Sequence, residues 1–323
     1  MSFSHILGQA TAVQTLERAL TSQRVHHAYR FEGPDGVGKE KAAFALARAL
    51  VCAADDALGC GRCSACQRAL AFADGEPRVP VHPDVVLVER GLYPSSLIGA
   101  PEATGISVEQ VRRIVLARVG FPPHEGRALV FIIRAAEELT AQAANALLKT
   151  LEEPPARVHF VLLTSRPNRL LDTIRSRTLA LRFGALPDDV MRRIAEQHGI
   201  DPSVALLAEG SASRALDLAD PESLRQKREF TEAALSALAA PDLASGFGLA
   251  DTRTTDRGAL RAQLNHLAYS LATESRNEIG QRAELAELLA HRHQVVLTAL
   301  NELDRNVQPT FVVESMLYRL RTA

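Results

Sequence analysis

The 323-residue chain is 46% hydrophobic and 5% aromatic, with 37 Lys plus Arg against 38 Asp plus Glu for a net charge of −1. That length accommodates two or three domains, and the hydrophobic content excludes a disordered chain. The balanced charge excludes a generally basic nucleic-acid binder, and no apolar run reaches the roughly 18 residues of a membrane span.

Met1-Ser-Phe-Ser-His5 has no basic segment followed by an apolar core, so the expected location is cytoplasmic. Residues 28–32 read as a strand, followed by a loop carrying Gly33, Gly36, Gly38 and Lys39, then an alanine-rich helix over 41–51. Residues 85–89 are the second strand. Ser107 and Gln110 have the spacing of a capping box that opens a helix through about Arg118. Residues 128–133 form the third strand. Thr140 caps a helix running to Glu153, where Pro154 and Pro155 stop it. Residues 158–163 and 178–183 are the fourth and fifth strands. Strands alternating with helices predict a parallel sheet, with ligands bound beyond the carboxyl ends of the strands.

After Phe183 the strand signals cease. Three short helices are expected over 186–198, 202–209 and 211–219, with Gly199 and Gly210 as stops. Four amphipathic helices follow, roughly 222–240, 256–274, 280–304 and 308–321, broken at Pro241-Asp242, Ser275-Arg276-Asn277 and Val307-Gln308-Pro309. No internal repeat or long low-complexity tract interrupts them.

The spacing from Gly33 to Lys39 is G-x-x-x-x-G-K, whose backbone N–H groups cradle phosphates while the lysine reaches the terminal ones. The next residue normally supplies a hydroxyl to Mg²⁺, but here it is Glu40. A metal-binding acid would end a hydrophobic strand, yet residues 129–133 run into Arg134 and Ala135. The hydrolytic parts are missing. Two readings of the loop stand: a packing turn in which Lys39 bonds carbonyls or a carboxylate, and a weak anion site built from loop N–H groups.

All four cysteines, Cys52, Cys60, Cys63 and Cys66, fall within one short segment. The pattern C-x₇-C-x₂-C-x₂-C points to thiolate metal ligation, since disulfides are rare in a reducing compartment. An iron–sulfur run would add a downstream cysteine and proline, whereas Gln67 and Arg68 follow here. Structural Zn²⁺ is the expectation, in a closed tetrahedral site with no open position for catalysis. Such a site folds a segment too small for its own core, with binding worth about 10–16 kcal/mol in finger peptides. His82 is expected in a loop, outside the ligand set.

Gly8-Gln9, His27-Ala28-Tyr29, the glycine loop, the four cysteines, the segment from Ala144 to Pro155 and the segment from Arg169 to Arg177 together carry a resemblance. The chain resembles the delta-prime subunits of bacterial DNA polymerase III clamp loaders, most densely over residues 1–183. The resemblance implies an α/β AAA+ (P-loop NTPase-like) domain over 1–184 with a five-stranded parallel sheet and the Cys₄ zinc module at 52–66. It implies a small three-helix lid over 185–221 and an all-α collar bundle over 222–323. It also implies partners: gamma/tau-like ATPases, a delta-like subunit, the sliding clamp and primer–template DNA. Ser176 and Arg177 match the family's Ser-Arg-Cys segment, with Thr178 in place of cysteine. Arg177 is thereby the implied arginine finger acting in trans on a neighbouring subunit's ATP site, a device worth about 10³–10⁵ in rate in other NTPases. Arg175 is the alternative finger.

The departures carry equal weight. The family's Walker B acids fall on Arg134 and Ala135, and its lid motif Gly-Ser-x-Arg appears as Gly210-Ser211-Ala212-Ser213, displacing the sensing arginine to Arg214. The expectation is a non-hydrolysing component of the DNA polymerase III holoenzyme, with ATP or ADP binding at Gly33, Gly36, Gly38 and Lys39 left open. The alternative is an ATP-hydrolysing motor subunit or another P-loop phosphotransferase, with Glu40, Glu137 or Glu138 as a replacement metal ligand. A stand-alone zinc nucleic-acid binder fits poorly with the neutral charge and closed Cys₄ set. Arg112, Arg113 and Arg118 are candidate DNA contacts or, equally, a solvated face.

Overall fold

The protein's structure, a computed structural model, describes residues 3–54, 56–99, 105–200, 205, 208–239, 257–305 and 307–322. Contacts divide the chain into two compact units, residues 1–216 and 217–323.

In the first unit five strands form one sheet: β1 Ala28–Glu32, β2 Val85–Val88, β3 Leu129–Ile133, β4 Val158–Thr164 and β5 Leu179–Arg182. Their order is β2-β3-β4-β1-β5 and every pairing is parallel. Each lies within a residue or so of its sequence expectation, because an apolar run bounded by turn residues is a local signal. Every residue of β3 is buried, whereas edge strand β5 buries only Leu181. Purely parallel sheets are covered on both faces, which is why the inner strands are nearly continuous in apolar residues.

The Ala141–Glu152 helix and the helical stretch over 108–119 pack Ala143, Leu147, Leu151, Val111 and Val115 against Phe131, Phe160 and Leu162. A fully buried leucine such as Leu147 contributes roughly 1.5–3 kcal/mol. Phe131 and Phe160 stack across adjacent strands at 5.1 Å between centroids. The Lys39–Val51 helix packs against β3 and β4 and buries nearly all its length, since its alanines permit close approach.

The caps match the sequence. Ser107 Oγ accepts from Gln110 N at 3.2 Å and Thr140 Oγ1 from Ala143 N at 3.2 Å, each satisfying an N–H that the first helical turn leaves without a partner. The helix after Ser107 differs in its middle, where Val111–Leu116 is π-wound. The Asp188–His198 helix stops at Gly199, and Gly210 precedes the Ala212–Ala219 helix. Most of the helix expected over 202–209 lies outside the described residues.

In the second unit the helices are Pro221–Ala239, Arg257–Glu278, Ala283–Asp304 and Pro309–Thr322. The expected break at Pro241-Asp242 lies outside the described residues. Leu260, Leu264, Leu267 and Leu271 recur at helical spacing and pack with Val296, Val312, Met316 and Leu320. The break expected at Ser275 is absent: the helix continues to Glu278, and the chain turns at Gly280 with φ +91°. Ser275 is a packing residue, buried, with its hydroxyl donating to Ala286 O at 2.8 Å. No helix among the described residues is long and apolar enough to cross a membrane.

Candidate functional site

The carboxyl ends of β1, β3 and β4 bring three segments to one edge of the sheet: the glycine loop, Arg134 with the turn after it, and Ser165. Gly33 and Gly36 are required there by close approach. A Cβ on Gly33 would lie 2.0 Å from Phe183 O, and one on Gly36 would lie 2.0 Å from Ser213 Oγ and 2.3 Å from Ser211 Oγ. Ala212 N also donates to Gly36 O at 3.0 Å. The segment 211–213 therefore sits directly on the glycine loop. Gly38, at φ +103°, leads into the Lys39–Val51 helix.

Lys39 is buried and turned back on its own loop, its Nζ donating to Gly33 O at 2.5 Å and Pro34 O at 2.6 Å, with Asp35 Oδ1 at 3.5 Å. Burial lowers its pKa, and the Asp35 and Glu137 carboxylates partly counter that. Lys39 thereby spends two of its three N–H donors on carbonyls of its own loop.

A guanidinium stands directly after the carboxyl end of β3. Arg134 forms an ion pair with Glu40 through Nη2 and with Glu89 through Nη1 at 2.6 Å. Burial disfavours its charge, but the two carboxylates more than offset that and raise its pKa. One cation thus neutralises two acids near the carboxyl ends of β2 and β3. Glu137 Oε1 accepts from Ser165 Oγ at 3.0 Å, and Glu138 pairs with Arg90 at 3.6 Å. Glu40, Glu137 and Glu138 form no metal-holding cluster; among the described residues only the four cysteines do. Arg214, the displaced sensing residue, pairs with Glu209 at 2.9 Å.

The four cysteine Sγ atoms lie within 4.8 Å of one another. Cys52 and Cys63 are 3.9 Å apart and Cys60 and Cys66 4.0 Å, close to the edge of about 3.8 Å that a tetrahedron with Zn–S of about 2.3 Å requires. Backbone N–H groups of Cys60, Cys63 and Cys66 point at the sulfurs of Cys52, Cys60 and Cys63 at 3.3–3.5 Å. The Cys66 N–H bond holds the Cys63 thiol down at about 6, and burial pushes the Cys66 thiol up. Arg127 ties the start of this segment to the body, its Nε donating to Cys52 O at 2.7 Å. The donor set fits a thiophilic metal ion. His82 is fully buried and lies outside this cluster, its Nδ1 accepting from Asp84 N at 3.1 Å.

On β5's side of the sheet, Arg177 is occupied. Its Nε donates to Glu152 Oε1 at 2.7 Å, Nη2 binds the same carboxylate, and Nη1 donates to Thr173 O at 3.0 Å and Ser176 Oγ at 3.1 Å. Arg175 pairs with exposed Asp172 at 3.0 Å. Arg112, Arg113 and Arg118 are all exposed, Arg113 donating to Leu97 O at 3.3 Å.

Three residues escaped the sequence reading: Glu89, Glu152 and Arg30. Two of them left a signal: Arg30 is a charged residue in the middle of a strand, and Glu89 is an acid at the end of an apolar one.

The family described as "DNA polymerase III, delta subunit" matches residues 8–187, more than half of the chain. The chain belongs to the DNA polymerase III clamp-loader family. Among curated relatives of this clamp-loader chain, the delta' subunit of Bacillus subtilis is 34% identical over 227 residues, covering 69% of this chain and 61% of that one. The gamma/tau subunit of Mycobacterium bovis is 37% identical over 204 residues, 62% of this chain. The tau subunit of Escherichia coli K12 is 33% identical over 248 residues, 73% of this chain. This clamp-loader chain spans about a third of those last two relatives, 32% and 35% of their length.

Proposed function

We propose that the chain is a non-hydrolysing, delta-prime-like subunit of a bacterial DNA polymerase III clamp loader, working in the cytoplasm. The observation that carries the reading is the Arg134 guanidinium bound to Glu40 and Glu89 at the sheet edge. Carboxylates paired with Arg134 are not available to Mg²⁺ while those pairs hold, and phosphoryl transfer relies on a correctly held Mg²⁺ to neutralise developing charge. The seating of Ser211 and Ser213 on Gly36 and the inward turn of Lys39 support it as well.

In this reading residues 185–221 serve as lid and 222–323 as collar, packing with gamma/tau-like and delta-like subunits in a ring that loads a sliding clamp onto primer–template DNA. Zn²⁺ held by Cys52, Cys60, Cys63 and Cys66 stabilises the 52–66 module. Arg177 leaves Glu152 and completes a neighbouring subunit's ATP site. At most one of its N–H groups is free while that pair holds, so a two-point grip on phosphate needs the pair to open.

The purified chain should show Mg²⁺-ATPase at background and no Mg²⁺-dependent gain in nucleotide affinity. In the reconstituted loader, Arg177→Ala should lower clamp- and DNA-stimulated ATPase while assembly is unchanged. Hydrolysis by the isolated chain that Lys39→Ala abolishes would overturn the reading. It would favour the second one, an ATP-hydrolysing motor subunit, to which the identity with gamma/tau relatives lends support.

A further inference from the structure

Arg30 lies in the middle of β1, flanked by β4 and β5, and is 7% exposed. Burying a guanidinium there costs several kcal/mol in lost hydration unless its hydrogen bonds are made. They are made to a few specific groups. Nε donates to Glu32 Oε1 at 2.6 Å, and Nη1 donates to Arg175 O at 2.9 Å and Thr178 Oγ1 at 2.7 Å. Thr178 is itself buried, and its hydroxyl donates onward to Ile174 O at 2.8 Å.

Arg175 and Thr178 flank Ser176 and Arg177. One nitrogen of one buried side chain therefore holds both ends of the turn that presents Arg177. The Thr178 hydroxyl accepts and donates at once, a double role a thiol fills weakly. The residue standing in place of cysteine is thus the half of the pair on the turn, and Arg30 is the half on the rigid strand.

We infer that Arg30 and Thr178 are positioning residues that fix the Ser176–Arg177 turn, and thereby the aim of Arg177 at a neighbouring subunit's nucleotide. The inference rests on the in-trans role of Arg177 proposed above. Stability alone does not account for the charge, because apolar residues of similar volume often replace buried ionic groups at no cost. Aim does account for it, since a misplacement of about 1 Å can cost about 10²-fold in rate.

The test uses the full chain in a loader reconstituted with its wild-type partner subunits. Thermal stability, assembly, and the kcat and KM of clamp- and DNA-stimulated ATPase are measured for Arg30→Met, Thr178→Val, Thr178→Ser, Arg177→Ala and the Arg30→Met/Arg177→Ala double variant. Arg30→Met and Thr178→Val should assemble and keep KM while kcat falls, on the order of tenfold at the affected site. Thr178→Ser, which keeps the hydroxyl, should restore most of that loss. The double variant should be no slower than Arg177→Ala, because the pair acts only through Arg177. If Arg30→Met does not fold, Thr178→Val against Thr178→Ser reads the same effect. A rate lowered by Arg177→Ala but untouched by Thr178→Val, or a further fall in the double variant, overturns the inference alone. A rate unchanged by Arg177→Ala overturns the in-trans reading and this inference with it.

Discussion

Arg134 and Glu40, 94 residues apart in the chain, form an ion pair at the two positions where a hydrolysing P-loop site would carry an acid and a hydroxyl for Mg²⁺. The two departures from the motif meet in one contact: the guanidinium at the end of β3 pairs with the carboxylate that follows Lys39.

Removing that cation leaves Glu40 and Glu89 facing each other without it. The three side chains are partly exposed, so solvent screening moderates the cost. Arg134→Ala should destabilise the first unit by about 1–2 kcal/mol in urea unfolding. The Glu40→Ala/Arg134→Ala pair should fall short of the sum of the singles by about 1 kcal/mol. Strict additivity would show that the ion pair has no energetic role.

Gly36 combines a left-handed backbone, φ +75°, with contact to the Ser211 and Ser213 hydroxyls. Gly36→Ala meets both a backbone cost of roughly 1–2 kcal/mol and a steric one. Adding Ser213→Ala should relieve part of the steric cost and none of the backbone cost, because Ser211 Oγ at 2.3 Å and Ser213 Cβ at 2.9 Å from the added methyl remain. Chemical denaturation of the two variants checks this, and a double variant as stable as the wild type would show that the backbone cost is absent.

The cysteine cluster should carry one Zn²⁺ per chain by elemental analysis. Cobalt substitution should give thiolate charge-transfer absorption that Cys63→Ser weakens. Chelation should open the 52–66 segment to proteolysis and remove a large part of a net stability expected at about 5–15 kcal/mol. A chain purified without metal and equally resistant to proteolysis would contradict the zinc assignment.

His159 sits on β4, its Nδ1 3.2 Å from His26 O. Burial holds its pKa below the ordinary 6.5, with the neighbouring His27 and His26 rings acting in the same direction. The unfolded chain therefore binds a proton at a higher pH than the folded one. Stability from this group is full above about 6.5 and is lost as pH falls through the folded value, with a slope of at most about 1.4 kcal/mol per pH unit. Urea midpoints should decline below pH 6.5, and His159→Gln should flatten the decline. An identical profile in the variant would assign the loss to other groups.

What was legible in the sequence was whatever short-range chemistry encodes. The strand runs, the Ser107 and Thr140 caps, the glycine loop and the clustered cysteines each depend on residues a few positions apart, and each appears where the spacing puts it. The missing hydroxyl and acid were legible too, as Glu40 and Arg134. Ser275 misled because a serine in a helical pattern reads as a break until its burial against Ala286 O is known.

Only the tertiary structure decided what the altered residues do with one another. Strand order β2-β3-β4-β1-β5 sets the carboxyl ends of β1, β2 and β3 along one edge, and so closes Glu40 and Glu89 on Arg134. The same order places β1 beside β5 and brings Arg30 to Thr178 across 148 residues. A hydrophobic pattern specifies that a strand is buried but not which strand lies next to it. Pairs of charges whose meeting depends on that neighbour stay unreadable until the sheet is assembled.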